Sequence, residues 1–270
     1  MIFGKFSTRS ARVVLASSVG AALLSACLGN APSSSPPAAS GPAAERLASN
    51  EHAFKDCRQF FAAATPPLVP SQPKLRDLCY DAFAILHNGN TRTPLYVAQR
   101  LNKALVADAD EKRTNKFFAD ARLPRAERAE LSDYKGSGYS RGHMAPAGDM
   151  PTAQAMAQSF SLANMVPQSI KQNSGPWARI ERDTRTYASR AQGDVFIITG
   201  PVYETQSTTV GNNQVAVPTH LYKLVYDAKT NRAWAHWQAN RDDERNSQPI
   251  SYAELVQRTG IEFLPDLNPK

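Results

Sequence analysis

The hydrophobic pattern of the chain mixes helical and extended periods. Apolar residues recur at helical spacing over residues 51–64 and 95–107, which predicts a helix in each stretch. A short apolar run at residues 80–86 and another at residues 194–199, which Gly-Pro closes, predict two buried strands. The pattern therefore indicates both kinds of secondary structure within one folded region.

The second half of the chain adds one helix and one pair of strands. Asp149 followed by Pro151 is typical of a helix start, and we expect that helix over residues 152–160. Residues 214–226 and 232–239 are rich in Val, Tyr, Leu and Trp, and the turn between them predicts a β-hairpin. Because these elements show no regular βαβ alternation and no repeat, the predicted fold class is α+β with a largely antiparallel sheet.

The first 50 residues have the pattern of a targeting segment and a linker. A basic opening precedes a short apolar run, which is typical of a signal peptide and too short to span a bilayer. The run ends in Leu24–Cys27, which resembles a bacterial lipobox. We therefore expect residues 1–26 to be removed and Cys27 to be lipidated, although an ordinary signal peptide with an incidental Cys27 is the alternative. Residues 27–50 predict a flexible linker, which leaves residues 51–270 as a single domain.

This targeting segment changes how the charge and the cysteines are interpreted. The chain carries 31 Lys+Arg against 24 Asp+Glu, a net charge of +7, and three of these cations leave with the signal peptide. The resulting charge of +4 is weak evidence for a polyanionic partner. Leu28 after Cys27 favours the outer membrane, so we expect an exported envelope lipoprotein that faces the periplasm or the cell surface. In an oxidising compartment Cys57 and Cys79 are expected to form a disulfide, with two separate buried thiols as the alternative.

The residues with the clearest chemical pattern lie within Asp133–Glu181. Arg141-Gly142-His143 belongs to a stretch rich in Gly and Pro, where we expect irregular or extended backbone. Asn173 or Ser174 can cap a helix that has a proline in its first turn. Eight residues separate Asn173 from Glu181, about 12 Å along a helix axis, so we do not expect both side chains to bind one ion directly. From spacing alone, His143 fits a structural role as well as a catalytic one.

Together these residues resemble the motif of the DNA/RNA non-specific endonuclease family, the ββα-metal nucleases that include endonuclease G-like proteins. The family motif is Asp-Arg-Gly-His, followed by an Asn-rich segment that ends in Trp-x-x-(Leu/Ile)-Glu. Further blocks extend the resemblance over roughly residues 75–240. It implies a ββα-metal nuclease fold with a central, mainly antiparallel sheet flanked by helices. The motif positions that match are Arg141, Gly142, His143, Asn173, Trp177, Arg179 and Glu181.

The resemblance implies an endonuclease that depends on Mg²⁺, with Mn²⁺ as an alternative ion, and hydrolyses phosphodiester bonds of DNA and RNA. It implies that Asn173 holds the metal and that Glu181 reaches it through water, which suits a hard cation that keeps much of its hydration shell. His143 would then be the general base that activates the attacking water.

Four further positions complete the site that the resemblance implies. Arg141 is expected to stabilise charge on the phosphate, and Arg113 to bind a further phosphate, with Arg122 as the alternative to Arg113. Arg179 is expected to contact the substrate. Ser140 stands where the family motif has Asp, and since that position is neither the base nor the metal ligand, we expect activity to be kept.

Two other interpretations stay open at this point. A non-catalytic nucleic-acid-binding lipoprotein would keep the fold without turnover, and a structural envelope lipoprotein would leave the motif unexplained. The expected partners are DNA and RNA, and a membrane bound through lipid at Cys27. We expect weak selectivity among nucleic acids, because contacts to phosphate carry no information about the base. The oligomeric state is open, with a homodimer among the options. The remaining histidines are expected to be structural or surface residues: His52, His87, His220 and His236.

Overall fold

The computed structural model describes residues 47–48, 53–204 and 207–270 of the chain. Contacts divide the chain into the units Met1–Gly41 and Pro42–Lys270, and every described residue belongs to the second unit. The predicted signal peptide, Cys27, His52 and most of the predicted linker lie outside the described residues. Within that linker, Leu47–Ala48 is described as strand β1, which pairs antiparallel with β2 (Val69–Pro70).

The remaining strands and the helices of the described residues alternate irregularly along the chain. The strands are β3 (Leu75–Cys79), β4 (Phe83–Asn88), β5 (Thr93–Leu101), β6 (Ser140–His143), β7 (Met165–Gln168), β8 (Val195–Val202), β9 (Thr209–Val210), β10 (Val215–Ala216), β11 (His220–Asp227), β12 (Arg232–Ala239) and β13 (Ile250–Ser251). The helices are α1 (Lys103–Ala107), α2 (Leu131–Tyr134), α3 (Ala153–Ser159), α4 (Ile170–Gln172), α5 (Ala178–Ala188) and α6 (Tyr252–Thr259). Within the part of the chain that the structure describes, each helix is too short or too polar to cross a membrane.

A seven-stranded antiparallel sheet forms the centre of the fold. Its strands lie side by side in the order β13-β12-β11-β8-β5-β4-β3, and each pairs antiparallel with its neighbours. Two small antiparallel pairs, β6 with β7 and β9 with β10, lie outside this sheet. The α+β class with a central antiparallel sheet flanked by helices is therefore confirmed.

Both faces of the central sheet are covered. Side chains alternate along β4, so that Ala84 and Leu86 join one apolar cluster while Phe83 and Ile85 join another. The first cluster also contains the aromatic residues of the N-terminal segment and the residues around α6. The second contains residues of β7, α3 and α5. The β6-β7 pair and α5 therefore belong to the layer on one side of the sheet, opposite the N-terminal segment.

Several predicted elements are confirmed within a few residues of their expected bounds. The helix expected over residues 152–160 is α3, which Thr152 caps by accepting a hydrogen bond from the Ala155 N–H at 3.1 Å. The strand expected at residues 194–199 is β8. The predicted hairpin is β11-β12, although its first strand begins at His220, and residues 215–216 form the separate strand β10. The strand expected at residues 80–86 is β4, shifted by three residues because Tyr80 lies in the turn that enters it.

The two helices predicted in the first half are wrong for most of their length. Residues 93–101 form strand β5, and only residues 103–107 form a helix. Since β5 is buried on both faces, it has apolar residues on both of them, and a helical spacing is met by accident. Of the other predicted helix, the structure describes residues 53–64, and there the helical turns are two short 3₁₀ turns, Arg58–Phe60 and Ala62–Ala64.

A disulfide holds that N-terminal segment in place, as predicted. Cys57 and Cys79 are bonded, with their Cα atoms 5.7 Å apart, and the bond joins the segment to the end of β3. Phe54, Phe60 and Phe61 of the segment are buried in the apolar cluster on that side of the sheet. Packing on the sheet and this crosslink therefore determine the local backbone in place of helix propensity.

Candidate active site

The candidate site is built on two strands and the helix that follows them. β6 pairs with β7 so that Gly142 lies opposite Val166 and His143 opposite Met165. A Cβ atom at Gly142 would overlap the side chain of Gln168, which reaches across from β7. The position before His143 therefore has to be glycine for the two strands to approach this closely.

The helix begins earlier than its predicted cap. Ser169 is the N-cap of α4, and its Oγ accepts a hydrogen bond from the Gln172 N–H at 3.4 Å. α4 continues into α5 through one π-helical turn, Asn173–Trp177, so neither Asn173 nor Ser174 caps the helix. This turn contains Pro176, which has no N–H to donate to the regular helical ladder. Asn173 is thus presented from a widened turn of a continuous helical run.

A cavity of about 370 Å³ gathers most of the predicted site residues. His143 and Arg141 come from β6, Asn173 from the π-helical turn, Glu181 from α5, and Arg113 from the segment before Phe117. Residues 113 and 181 are far apart in the sequence, so the fold and not a local motif brings their side chains together. The other residues that line the cavity are Pro146, Ala147, Gly148, Ala178, Arg182 and Arg185.

His143 is buried among aromatic rings. Only 7% of the residue is exposed. Its ring packs edge-on against Phe160 at a centroid distance of 5.0 Å and lies 6.0 Å from the ring of Phe117. Burial, together with the positive charges of Arg113 and Arg141, lowers the pKa of His143 to about 3. The imidazole is therefore neutral at physiological pH, and its Nε2 atom has no hydrogen-bond partner among the described residues.

The same aromatic rings support the two arginines of the cavity. The Arg141 guanidinium lies 4.0 Å from the centre of the Phe117 ring, and that of Arg113 lies 5.0 Å from the centre of the Phe160 ring. Arg113 Nε donates to Asn115 Oδ1 at 2.7 Å. Neither arginine forms an ion pair with a carboxylate in the described part of the chain. Both charges are therefore available to an anion.

The other two arginines that the sequence proposed lie elsewhere. Arg122 pairs with Asp120 at 2.7 Å and lies over the ring of Tyr80, outside the cavity, so the structure does not bring the alternative to Arg113 to the site. Arg179 is exposed and approaches Asp183 at 4.0 Å. It does not line the cavity, because its position on α5 faces away from that of Glu181.

The sequence prediction does not include a group of charged residues in and around the cavity. Arg185 forms an ion pair with the buried carboxylate of Asp149. Lys223 of β11 is 1% exposed, and its Nζ donates to Thr199 Oγ1 at 2.7 Å. Helical spacing from Glu181 could have identified Arg185, one turn further along α5. No sequence signal marks Lys223, because burial of a lysine in a central strand depends on the tertiary fold.

Glu181 is the carboxylate of the cavity. Burial raises its pKa to about 7, although the positive charges of Lys223, Arg185 and Arg113 oppose that shift. Among the described residues it forms no ion pair. Asn173 is half-buried on the wall of the same cavity. The site thus offers an amide oxygen and a poorly compensated carboxylate, while no group of three or more His, Cys, Asp or Glu in the described residues could enclose a metal ion.

Ser140 lies at the start of β6, opposite Gln168, and is half-buried. It does not line the cavity of His143 but lies on the adjacent surface that Arg141 also borders. Its effect on activity stays a prediction. Of the other histidines, His87 is fully buried and bonded to the backbone oxygen of Glu127, and His220 approaches Glu204, so both lie away from the cavity.

Comparison with known proteins places the chain among nucleases. Nuclease EXOG, mitochondrial, of Danio rerio is 37% identical over 208 residues, which are 70% of this chain and 60% of that protein. The protein of the same name in Homo sapiens is 39% identical over 159 residues, 54% of this chain and 43% of that protein. This chain therefore spans about half the length of these curated relatives.

A solved structure has a similar fold. The crystal structure of the EndoG/EndoGI complex contains a chain with a TM-score of 0.64 and 24% identity, and the match covers 74% of this chain and 89% of that one. At this identity the likeness shows the fold alone. It agrees with the central antiparallel sheet flanked by helices described above.

The names of the relatives contradict the predicted location. Both EXOG proteins are mitochondrial by name, which points to mitochondria and not to a bacterial outer membrane. The prediction of an exported envelope lipoprotein is therefore wrong. That prediction was based on a basic opening followed by a short apolar run. More than one kind of targeting signal has this composition.

The family itself follows from the extent of the sequence match. A model of the family described as DNA/RNA non-specific endonuclease matches residues 65–270, from the segment after the 3₁₀ turns to the last residue. This range includes β6, β7, α5 and every residue that lines the candidate cavity. The chain belongs to the DNA/RNA non-specific endonuclease family.

Proposed function

We propose that the chain is a metal-dependent endonuclease that hydrolyses phosphodiester bonds of DNA and RNA. One observation carries the proposal: a neutral histidine, two arginines without carboxylate partners, an amide and a carboxylate line a single cavity. Membership of a family of non-specific endonucleases supports the reaction class. The names of the relatives, nuclease in each case, support it as well.

The residues present fit a hard divalent cation, for which we propose Mg²⁺, with Mn²⁺ as a substitute. Asn173 would hold it through its amide oxygen, and Glu181 would accept hydrogen bonds from its waters. Two oxygen donors and no enclosing cluster suit an ion that keeps several waters. When bound, the ion supplies positive charge beside the phosphate as negative charge develops there.

His143 is the proposed general base. Its low pKa keeps the imidazole neutral, so a ring nitrogen of His143 can accept a proton from a water molecule that attacks phosphorus. Packing between Phe160 and Phe117 fixes the plane of the ring, so the lone pair has a defined direction. A water nucleophile needs no 2′-hydroxyl, so this chemistry applies to DNA and RNA alike.

Arg141 and Arg113 are the proposed anion-binding groups. Each guanidinium lies over an aromatic ring and carries no competing ion pair, so each can approach a phosphate oxygen without first breaking a salt bridge. Contacts to phosphate carry no information about the base. We therefore expect weak sequence selectivity and binding that weakens as salt is added.

The test is cleavage of supercoiled plasmid and of RNA by the purified chain, with Mg²⁺, with Mn²⁺ and with EDTA. We expect both substrates to be cut with either ion and neither to be cut in EDTA. His143→Ala should lower the rate by about two orders of magnitude or more, as expected for loss of a general base. His220→Ala is the matched control, because His220 lies outside the cavity.

Undiminished cleavage by His143→Ala would contradict the assignment of the base. Retained binding without cleavage under any divalent ion would instead support the non-catalytic interpretation. Cleavage that persists in EDTA would remove the metal from the proposal.

A further inference from the structure

A second cavity lies directly beside the candidate active site. It has a volume of about 720 Å³, and Arg113 and Arg141 border both cavities. We call it the side groove. Besides the two arginines, its lining includes Phe117, Leu131, Tyr134, Lys135 and Tyr139. If a phosphate of a bound molecule lies between the two arginines, the portion of that molecule next to the phosphate would therefore lie in the side groove.

The side groove has one exposed aliphatic side chain and one half-buried aromatic ring on its surface. Leu131 is 46% exposed, which is unusual for a large apolar side chain in the described residues. The half-buried ring of Tyr139 pairs with no other aromatic ring in the described part of the chain. Such surface is typical of a site that receives a flat apolar group.

The charge of the side groove selects the class of ligand. Arg113, Lys135 and Arg141 line it, and no carboxylate is among its lining residues. The combination of cations with an aromatic and aliphatic surface fits a nucleotide, which has an anionic phosphate and a flat base with polar edges. An apolar peptide or a lipid chain would leave the three cations without counter-charges.

The wall of the side groove is held rigidly. The buried carboxylate of Asp133 accepts hydrogen bonds from the Glu130 N–H at 2.8 Å and from the Asn213 N–H at 3.1 Å, which fixes α2 to the loop between β9 and β10. Gly136 and Gly138 have φ angles of 71° and 80°, a left-handed conformation that turns the chain from α2 into β6 and places Tyr139 on the groove. The groove is therefore preformed and does not depend on a flexible loop.

We propose that the side groove is a subsite that stacks one unpaired nucleobase of the substrate strand, next to the phosphodiester bond that is cut. The inference rests on the proposed function, since it takes the scissile phosphate to lie between Arg113 and Arg141. A base inside a duplex is already stacked between its neighbours and cannot enter the groove without leaving them. The chain should therefore bind single-stranded or frayed nucleic acid in preference to an intact duplex.

The test compares two single-stranded oligomers that carry the same number of phosphates. One is oligothymidylate of about ten nucleotides, and the other is an abasic oligomer of equal length. Both are titrated by fluorescence anisotropy with the full chain carrying His143→Ala. We expect oligothymidylate to bind about tenfold more tightly than the abasic oligomer, as stacking of one base predicts.

Variants in the same background assign that difference to the side groove. Tyr139→Ala should remove most of the tenfold ratio, and Tyr139→Phe, which keeps the ring, should retain it. Leu131→Ala should lower the ratio too, and because Leu131 is exposed its replacement does not disturb the core. Phe118→Ala is the matched control, since Phe118 is an exposed aromatic residue, 42% accessible, that does not line the groove.

Equal affinity for the two oligomers would overturn the proposal, and so would a ratio that neither Tyr139→Ala nor Leu131→Ala changes. Plasmid cleavage by the unmodified chain keeps this result separate from the proposed function. Base-dependent binding without any cleavage would refute the endonuclease and leave the side groove as a base-binding site alone. Cleavage with base-independent binding would do the reverse.

Discussion

Among single residues, the burial of His143 has a direct consequence for pH dependence. Burial and two neighbouring guanidiniums lower its pKa to about 3, so the ring stays unprotonated over the range in which an ordinary histidine titrates. We expect its ring proton signals in NMR to stay constant between about pH 5 and pH 8. The spectrum of His143→Ala identifies these signals. A midpoint near the ordinary histidine value would show that the site is open to solvent.

Glu181, in contrast to His143, should titrate near neutral pH and make metal binding depend on pH. Its pKa is raised to about 7, so in the metal-free chain the carboxyl is protonated below that pH and charged above it. A cation's waters need the charged form, and proton and ion therefore compete. We expect the Mg²⁺ concentration that gives half-maximal cleavage to rise by up to about tenfold per pH unit below pH 7, and to level off above it.

Glu181→Gln is the control for this dependence, since it keeps the shape of the side chain without its titration. The variant should need more Mg²⁺ at high pH and show a flat dependence below pH 7. The sign can also be checked without substrate. Because the folded pKa lies above the unfolded one, the metal-free parent should lose stability as pH rises from 4.5 to 7, and added Mg²⁺ should restore it. A parent whose urea midpoint does not move with pH in EDTA would contradict this account.

The residues of the site differ in how well the sequence could predict them. The motif led to His143, Arg141, Asn173 and Glu181, and the structure brings all four to one cavity. Arg179 lies outside the cavity because of its place on α5, and its contact with the substrate stays a prediction. The environment that shifts the pKa values, including Lys223, comes from strands distant in the sequence and depends on the packed fold.

At the scale of elements, two glycines near the site should respond differently to the same substitution. Gly142→Ala forces a methyl group into the Gln168 side chain across the β6-β7 pair, and we expect a loss of about 1–3 kcal/mol of stability. Gly175→Ala meets no atom within 4 Å outside its chain neighbours and its own helix, but it precedes Pro176, which disfavours helical backbone at a residue with a Cβ atom, so we expect a change of less than about 1 kcal/mol. Urea denaturation measures both changes. Equal effects would show that β6 and β7 can separate without cost.

Element prediction succeeded at α3, which has a polar face, and at the short apolar runs of β4 and β8, and it failed at β5, a longer strand that is buried on both faces. α3 has a cap residue and exposed positions, and its bounds were expected to within a residue or two. β5 is covered on both faces, so its apolar residues carry no period of two, and residues 95–107 matched a helix instead. The helix of the site began four residues before its expected cap, because Ser169 and Asn173 are both good cap residues and only tertiary contacts choose between them.

At the scale of the whole molecule, the central sheet separates the site from the N-terminal segment. Trp177 and Ile180 of the site helix belong to the apolar cluster on one face, and Cys57 belongs to the cluster on the other. Interactions on one face therefore reach the other only through the sheet itself. This separation could not be predicted from the sequence, since it depends on which side of the sheet each connection crosses.

The disulfide should consequently affect stability and leave catalysis unchanged. Cys57 and Cys79 are 22 residues apart, and closing a loop of that size contributes about 3 kcal/mol in the chain-entropy model. We expect the double variant Cys57→Ala with Cys79→Ala to lose about that amount in urea denaturation, and to cleave plasmid at the parent rate where both proteins are fully folded. Reductant should destabilise the parent and leave the double variant unaffected. A fall in cleavage rate without unfolding would mean that the N-terminal segment supports the site through the sheet, and the two faces would then not be independent.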